Sequence, residues 1–280
     1  MPAAEEAILL ETGTDSMRRF LSLAAWQRDR AIGVKLVSVF PENKHLPSVQ
    51  GLYVVFGGQT GEPLLVADGT ALTLRKTAAD SALGVDILAR PDVETMLMIG
   101  AGALAPHVIQ AFTSIRPSLR RVLVWNRTGA RAETVARSLE IDGVEIAATT
   151  DLEAALAWAG VISCATMATE PLVRGAKLRA GAHVDLIGGW EPAMRESDDD
   201  TIRRGLIFVD SKITCRSRGD ILQPLESGII KWSDIRSDLF DLCSDAVVGR
   251  PLPTDITLYK NAGGAHLDLF AAQLLMEVGS

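Results

Sequence analysis

Two glycines and an alanine follow a short apolar run near the middle of the chain. Residues 95–99 are apolar, as a buried parallel strand should be, and Gly100 allows a tight turn out of that strand. Gly102 lets the backbone approach a pyrophosphate, and Ala105 lets the following helix pack closely on the strand. That helix would offer free N–H groups and a positive dipole end to a phosphate. The predicted cofactor-binding residues of this turn are Gly100, Gly102, Ala103, Leu104 and Ala105. A plain glycine-rich strand–helix turn is the alternative.

The next apolar run, residues 122–125, ends in Asn126, Arg127 and Thr128. A site for NAD usually has a carboxylate at this position to hold the ribose 2′-OH. A carboxylate would repel a 2′-phosphate, whereas Asn126 and Thr128 could bond one and Arg127 adds a charged fork. The three residues therefore predict NADP(H) as the cofactor. The alternative is that Arg127 is a solvated loop arginine.

Two lysines stand on elements that the pattern predicts to be partly buried. Lys35 lies within residues 32–40, whose β-branched side chains predict a strand, and it shares a face with Gly33. A lysine in such a run is costly unless it is paired. It is either a guard against aggregation on an edge strand or an inward ammonium for a substrate carboxylate. Lys76 lies beside the apolar stripe of a predicted helix, where a single charge is by default solvated.

The composition excludes several classes of function. The chain has 280 residues, enough for one large or two medium domains, and its net charge is −7. No Lys/Arg cluster marks one face, which argues against nucleic acid and anionic membrane surfaces. The acidic start lacks a signal pattern and no apolar run approaches the roughly 18 residues of a membrane span, so we expect a soluble cytoplasmic protein. Three scattered cysteines and four histidines predict neither disulfides nor a metal site. Any chemistry is then expected from a cofactor.

The predicted elements change type along the chain. Strands, a hairpin and a long helix fill the part before residue 93. From Thr95 strand and helix alternate, which predicts a doubly wound parallel sheet with ligands outside the carboxyl ends of its strands. Two of these strands are followed by residues that would lie beside a nicotinamide. Ala165 and Thr166 follow one of them, and Gly188 and Trp190 follow the other. The last helix is too short to fold alone and should return to the first segment. Its glycine-rich start suits an anionic or amide ligand, with a simple helix cap as the alternative.

Several segments resemble the ornithine cyclodeaminase/mu-crystallin family. The matching stretches are residues 33–43, 46–51, 68–73, 76–82, 100–105 and 260–265. The resemblance covers most of the chain from about residue 32 onward. It implies an α/β fold in which a Rossmann doubly wound parallel sheet, residues 93–255, is inserted in a smaller α+β domain. That smaller domain, residues 1–92 plus 256–280, would bind substrate and form a homodimer. The N-terminus is shorter than the family's usual start, which affects part of the dimer interface and one further arginine.

The resemblance also implies roles for individual residues. Lys35 stands at the family lysine that binds the substrate carboxylate and can transfer a proton, which makes it the predicted catalytic residue. Lys76 stands where the family usually has arginine, so the charge is kept and the bidentate fork is lost. Trp190 stands where the cyclodeaminase has its catalytic aspartate and cannot supply a carboxylate, although Glu191 is next to it. The other predicted positions are Gln50 and Asn261 for substrate and Thr77, Ala165, Thr166 and Gly188 for the cofactor.

With these residues in place, the resemblance implies the NADPH-dependent reduction of a cyclic ketimine carboxylate. The substrate would be Δ1-pyrroline-2-carboxylate or Δ1-piperideine-2-carboxylate, and the product L-proline or L-pipecolate. Lys35 or a water would protonate the imine nitrogen, which requires a lowered lysine pKa, while Trp190 would form an apolar wall. The alternatives are an NAD-dependent ornithine cyclodeaminase, an alanine dehydrogenase and a mu-crystallin-like NADPH-dependent ligand-binding protein. Trp190 and Asn126 count against the cyclodeaminase.

Overall fold

The structure, a computed structural model, describes residues 2–11, 18–244 and 246–279. The chain divides into two compact units, one formed by Met1–Lys76 with Gly264–Ser280 and the other by Thr77–Gly263. The larger unit thus includes residues 77–92 and 256–263, which the family resemblance assigns to the substrate-binding domain. Among the helices of the described residues, none combines the length and apolar character needed to cross a bilayer.

The strands predicted at residues 32–40, 95–99 and 122–125 are present, and further strands and helices complete the two units. The strands are β1 (Ala3–Leu10), β2 (Arg19–Gln27), β3 (Ala31–Val39), β4 (Val49–Gly57), β5 (Pro63–Asp68), β6 (Thr95–Ile99), β7 (Arg121–Trp125), β8 (Glu145–Thr149), β9 (Val161–Cys164), β10 (His183–Leu186), β11 (Gly205–Val209), β12 (Ile235–Asp238) and β13 (Ile256–Lys260). The helices are α1 (Gly69–Leu88), α2 (Leu104–Ile115), α3 (Gly129–Arg137), α4 (Leu152–Trp158), α5 (Asp199–Arg204), α6 (Gly219–Glu226), α7 (Leu239–Cys243) and α8 (Ala265–Gly279).

The smaller unit is an antiparallel sheet with the order β1-β2-β3-β4-β5. In β3 the alternate residues Ala31, Gly33 and Lys35 are buried and their neighbours are partly exposed, because side chains alternate between the faces of a strand. Helix α8 packs on β1, β2 and β3, so the prediction that the last helix returns to the first segment is confirmed. Since β3 is a central strand, Lys35 is not an edge-strand guard.

The larger unit is a parallel sheet with the order β12-β11-β13-β10-β9-β6-β7-β8. The chain runs outward from β6 through β7 to β8 and then returns to β9 on the other side of β6. This reversal confirms the predicted doubly wound sheet and places the switch point between β6 and β9. The sequence pattern did not place β12 or β13 in the sheet. Strand β13 lies between β10 and β11, and such a short, fully buried run carries no periodicity that assigns it to a sheet.

The turn between β6 and α2 is supported by buried side chains on both sides. All residues of β6 are buried, and the apolar residues Val108, Ile109 and Phe112 of α2 are fully buried in the same core as Met98. Burial of each such side chain contributes about 1.5–3 kcal/mol. The strand and the helix therefore hold the glycine turn between them in a fixed position.

Candidate functional site

The glycine turn after β6 has the geometry of a phosphate site. Gly100 has a φ of +107°, and a Cβ there would lie 2.5 Å from the carbonyl oxygen of Ala165, so only glycine fits. A Cβ on Gly102 would meet no atom within 4 Å, and Gly102 and Ala103 are exposed. Ala103, at the N-cap of α2, has no side chain that could cap the helix, and Ala105 is buried against the core. Open backbone and uncapped N–H donors fit the diphosphate of a dinucleotide.

The three residues predicted to bind a 2′-phosphate lie together at the carboxyl end of β7. The Asn126 side-chain amide donates a hydrogen bond to the carbonyl of Thr128 at 3.0 Å. Arg127 and Thr128 are exposed, and Thr128 is the N-cap of α3. No carboxylate occurs between β7 and α3. The loop therefore offers hydrogen-bond donors and one positive charge at the end of β7.

The loops after β9 and β10 are tied together through a buried glutamate that the sequence pattern did not identify. Both the backbone N–H and the hydroxyl of Thr166 donate to Oε1 of Glu196, at 2.7 and 2.8 Å. A Cβ on Gly188 would lie 2.0 Å from the carbonyl oxygen of Thr166, so glycine is required there. The N–H of Ala165 donates to Ile99 at 2.9 Å, which joins the β9 loop to the end of β6. Thr166, Gly188 and Ala165 therefore share one rigid edge of the sheet.

Glu196 belongs to a buried charged network with Asp220 and Lys260. The Lys260 ammonium lies 3.1 Å from Oδ2 of Asp220 and also donates to the carbonyl of Gly188. Oδ1 of Asp220 accepts the backbone N–H of Glu196 at 2.7 Å. All three side chains are fully buried. Burial, and then the charge of Asp220, raises the pKa of Glu196 to about 8. Because Glu196 and Asp220 come from a loop and a short helix, no periodic signal points to them.

Trp190 is half-buried and held from one side by an arginine. The guanidinium of Arg218 lies 5.8 Å from the centre of a Trp190 ring, and one of its nitrogens donates to the Trp190 carbonyl at 3.3 Å. Gly189 has a φ of +60°, and a Cβ there would lie 2.2 Å from Asp220 Oδ2, so glycine is required at this position. The cation beside the ring fixes the position of the indole. Trp190 can then offer the apolar surface of its ring to a ligand.

The smaller unit holds a separate buried charged cluster around Asp268. The Lys35 ammonium lies 2.6 Å from Oδ2 of Asp268, and the Lys76 ammonium lies 3.3 Å from Oδ1. Side-chain exposure is 8% for Lys35, 6% for Lys76 and 0% for Asp268. The default interpretation of Lys76 as a solvated lysine is therefore wrong, because α8 supplies a carboxylate that the local sequence does not reveal. Both predicted carboxylate-binding lysines are brought to one point.

The pKa values in this cluster follow from burial and charge. Burial lowers the pKa of Lys35, and Lys76 lowers it further, while Asp268 acts in the opposite direction. Burial alone would raise the pKa of Asp268, but the two lysines outweigh it and the pKa lies below its usual value. Tyr53, which is opposite Lys35 on β4, has a pKa raised by burial and then by Asp268. Gly33 makes room for Tyr53, since a Cβ there would lie 2.1 Å from the phenol oxygen.

Two further predicted substrate residues occupy different surroundings. Gln50 is exposed on β4, and by alternation its side chain lies on the opposite face of the sheet from Tyr53, so the structure does not bring it to Lys35. Asn261 is buried in the larger unit, where its side-chain amide donates to the Thr77 carbonyl at 3.0 Å and to Ser81 at 2.9 Å. These bonds connect the end of β13 to α1 and leave the amide oxygen of Asn261 as the group that it could offer to a ligand.

The chain is similar to known proteins over almost its whole length. Residues 13–279 match the model of the ornithine cyclodeaminase/mu-crystallin family. The chain is 40% identical over 266 residues to Protein SAR DEFICIENT 4 of Arabidopsis thaliana, a match that covers 92% of this chain and 82% of that protein. It is also 40% identical over 261 residues to a Delta(1)-pyrroline-2-carboxylate reductase of Paracoccus denitrificans, covering 92% and 83%. The structure of the Thermococcus litoralis reductase of the same name, solved with NADH and L-proline, superposes with a TM-score of 0.90 at 30% identity and covers 98% of this chain and 86% of that one.

Proposed function

Because the chain belongs to the ornithine cyclodeaminase/mu-crystallin family, we propose that it reduces a cyclic ketimine carboxylate with NADPH. The protein is an oxidoreductase acting on C–N bonds, as its relatives named Delta(1)-pyrroline-2-carboxylate reductases indicate. Within that class, the proposed substrate is Δ1-pyrroline-2-carboxylate or Δ1-piperideine-2-carboxylate and the product L-proline or L-pipecolate. The observation that carries the proposal is the pair of buried ammonium groups, Lys35 and Lys76, at one point of the smaller unit.

In this proposal the protein binds an acid group and supplies a proton. A reduced nicotinamide, when bound, supplies the hydride that forms the new C–H bond as the C=N double bond becomes single. Lys35 and Lys76 hold the substrate carboxylate, which two charged donors bind more strongly than neutral groups would. The lowered pKa of Lys35 makes its ammonium a better acid, so it is the proposed proton donor to the imine nitrogen. Trp190 cannot act as a base, and this disfavours the cyclodeaminase reaction.

The proposed cofactor is NADP(H), held by the residues already predicted from the sequence. Gly100, Gly102 and the start of α2 would receive the diphosphate, and Asn126 with Arg127 the 2′-phosphate. The Thermococcus relative was solved with NADH, so the coenzyme preference of this chain rests on the residues after β7. The ratio of kcat/KM for NADPH to that for NADH tests it directly, and a ratio below one would overturn this part of the proposal.

The proposed assembly is a homodimer formed through the sheet of the smaller unit. Large apolar side chains are exposed there, among them Trp26 at 55%, Leu52 at 52% and Val66 at 64%. Isolated apolar residues on a surface are normal, but a set on one sheet points to a covered face. Sedimentation or light scattering that gave a monomer mass at micromolar concentration would contradict the dimer. Cell fractionation tests the cytoplasmic location expected from the sequence.

A substrate panel with the purified protein tests the reaction itself. NADPH oxidation is measured with Δ1-pyrroline-2-carboxylate, Δ1-piperideine-2-carboxylate and pyruvate plus ammonia, and NAD-dependent ammonia release is measured with ornithine. We expect the cyclic imines to give the highest kcat/KM. A preference for ornithine would establish a cyclodeaminase instead, and a preference for pyruvate plus ammonia an alanine dehydrogenase. NADPH that binds but is never oxidised by any imine would establish a ligand-binding protein.

A further inference from the structure

Glu196 is a buried acid on the loop between β10 and α5 of the larger unit, and it contacts the residues that follow two strands of the sheet. We propose that Glu196 is a positioning residue for the nicotinamide end of the cofactor: by holding Thr166 and Gly188 against each other, it sets the position of the loops that follow β9 and β10. This inference deepens the proposed function and rests on it, because both held residues belong to the proposed cofactor site. Glu196 itself touches no reacting atom in this proposal.

A pair of hydrogen bonds fixes both the backbone and the side chain of Thr166. Oε1 of Glu196 accepts the backbone N–H of Thr166 at 2.7 Å and its hydroxyl at 2.8 Å. The hydroxyl oxygen in turn accepts the N–H of Ala168 at 3.3 Å. Because one oxygen receives both donors of a single residue, neither the backbone nor χ1 of Thr166 can rotate without breaking a hydrogen bond to a buried acid, which is costly. The Glu196 side chain therefore determines where the β9 loop begins.

Gly188 leaves no free space between the two loops. A Cβ on this glycine would overlap both the carbonyl oxygen of Thr166 and Oε1 of Glu196. The backbone N–H of Ile187, one residue earlier, donates to the Cys164 carbonyl at 2.8 Å and extends the pairing of β9 with β10. The two loops are thus joined first by the sheet and then, one to two residues later, by the glutamate. A shift of the Glu196 side chain would move both.

The backbone of Glu196 is anchored independently of Thr166. Its carbonyl accepts two backbone N–H groups at 2.9 Å, and its own N–H donates to Oδ1 of Asp220 at 2.7 Å. Oδ2 of Asp220 lies 3.1 Å from the Lys260 ammonium, which also donates to the Gly188 carbonyl. These contacts close a ring that returns to Glu196 through Gly188. A glutamate anchored in this way can hold Thr166 without moving itself.

Glutamine should be able to take over this role, because the acid is mostly uncharged at neutral pH. Burial, and then the charge of Asp220, raises the pKa of Glu196 to about 8, against the opposing effect of Lys260. The thiol of Cys164 also hydrogen-bonds to this carboxyl group. Oε1 already accepts two hydrogen bonds, so the proton of the neutral acid belongs on Oε2, where glutamine can carry its NH2 group. Glutamine thus offers the same oxygen to Thr166 with no charge to bury.

The position of these loops matters because hydride transfer depends on distance. In a doubly wound sheet the ligand lies outside the carboxyl ends of the strands, which is where Thr166 and Gly188 stand. Reacting carbons must approach to about 3–3.5 Å, and a misplacement of about 1 Å can lower the rate about 10²-fold. The phosphates of the cofactor are proposed to bind after β6 and β7 instead. A change at Glu196 should therefore weaken the contribution of the nicotinamide half to binding and leave that of the phosphate half unchanged.

The test compares three substitutions of Glu196 with one control. Glu196→Gln keeps the acceptor, Glu196→Met keeps the length without it, and Glu196→Asp shortens the side chain by one methylene group. Val161→Ala, fully buried at the other end of β9, is the matched control for lost stability without a changed loop. Titration gives the Kd for NADPH or NADH, whichever binds the wild type more tightly, and for the fragment of the same dinucleotide that lacks nicotinamide. The Kd of the fragment divided by that of the dinucleotide measures what the nicotinamide half adds to binding.

We expect E196M and E196D to lower this ratio about tenfold, the size of one to two lost hydrogen bonds, while the Kd of the fragment stays within about twofold of wild type. In the same variants kcat for the cyclic imine should fall about 10²-fold. E196Q should match the wild type in both measurements, and V161A should lose stability only. A ratio that is unchanged in E196M and E196D overturns the proposal, as does an E196Q variant that behaves like E196M.

The binding ratio separates this proposal from its premise. It needs no turnover, so a wild type that reduces no imine refutes the proposed function while the ratio still decides the role of Glu196. If E196M does not fold, the comparison of E196D with E196Q decides. Equal losses of affinity for the fragment and the dinucleotide would show a structural role and overturn the proposal. A wild-type ratio of about one would overturn it too, because the nicotinamide half would then add nothing that Glu196 could position.

Discussion

Replacing Lys35 by alanine removes the shorter of the two ion pairs at Asp268. Breaking a buried pair by deleting one partner costs about 3–5 kcal/mol of stability, because the other charge stays buried. Here Lys76 remains 3.3 Å from the same carboxylate, so we expect the lower end of that range, about 3 kcal/mol. Loss of a positioned proton donor lowers kcat about 10²–10⁴-fold, and loss of one of two ammonium groups raises KM about tenfold or more. We therefore expect kcat/KM to fall about 10³-fold or more.

The assay for Lys35→Ala separates catalysis from folding and from cofactor binding. Steady-state NADPH oxidation with the best cyclic imine gives kcat/KM, chemical denaturation gives the free energy of unfolding, and fluorescence titration gives the Kd for NADPH. The Kd should stay within about twofold of wild type, because the predicted cofactor residues belong to the unit that contains neither Lys35 nor Asp268. Lys35→Arg, which keeps the charge but not the acidity, should recover stability and KM more than kcat. Equal losses of imine turnover and NADPH affinity would show that Lys35 is a structural residue.

Four further substitutions probe the larger unit. Asn126→Asp places a carboxylate where the 2′-phosphate is proposed to bind, so it should lower kcat/KM for NADPH relative to NADH about tenfold or more. Arg127→Ala should change this ratio in the same direction. An unchanged ratio in both variants would mean that this loop does not select the cofactor. Gly100→Ala should destabilise the protein and weaken binding of either cofactor, because the new Cβ would lie 2.5 Å from the Ala165 carbonyl; a normal denaturation midpoint and Kd would contradict the glycine requirement. The free energy of unfolding of Glu196→Gln should rise relative to that of the wild type by more than about 1 kcal/mol between pH 5 and pH 8. The reason is the raised pKa of Glu196, because the folded wild type then holds a proton that the unfolded chain has released, and it loses stability as pH rises. A difference in stability that does not depend on pH would refute the assignment.

The part of the fold that was predictable from the sequence is the part with local signals. A regular alternation of strand and helix indicates the doubly wound sheet, and the turn at Gly100 follows from short-range backbone requirements. Alternation of side chains along a strand puts Lys35 on the same face as Gly33, and the sheet order then shows that this strand is central and that the face is buried. Each of these features depends on residues within one or two neighbouring elements, so a single sequence shows them.

The features that could not be predicted depend on partners that are distant along the chain. Lys76 pairs with Asp268 on the last helix, and nothing in the sequence around Lys76 indicates that distant partner. Glu196 and Asp220 meet Lys260 through three separate segments, two of which have no periodic pattern. Strand β13 is only five residues long, and only its pairing with β10 and β11 shows which sheet it joins.

The position of β13 has a consequence for how the protein is made. During synthesis, β10 and β11 emerge from the ribosome well before Ile256–Lys260, yet this late segment separates them in the finished sheet. Until it arrives, both strands present open edges with unused backbone donors and acceptors, a state that invites pairing with other nascent chains. The larger unit therefore closes its sheet only after residues 256–260 have been synthesised, and its folding in the cell should depend on protection of those edges during the interval.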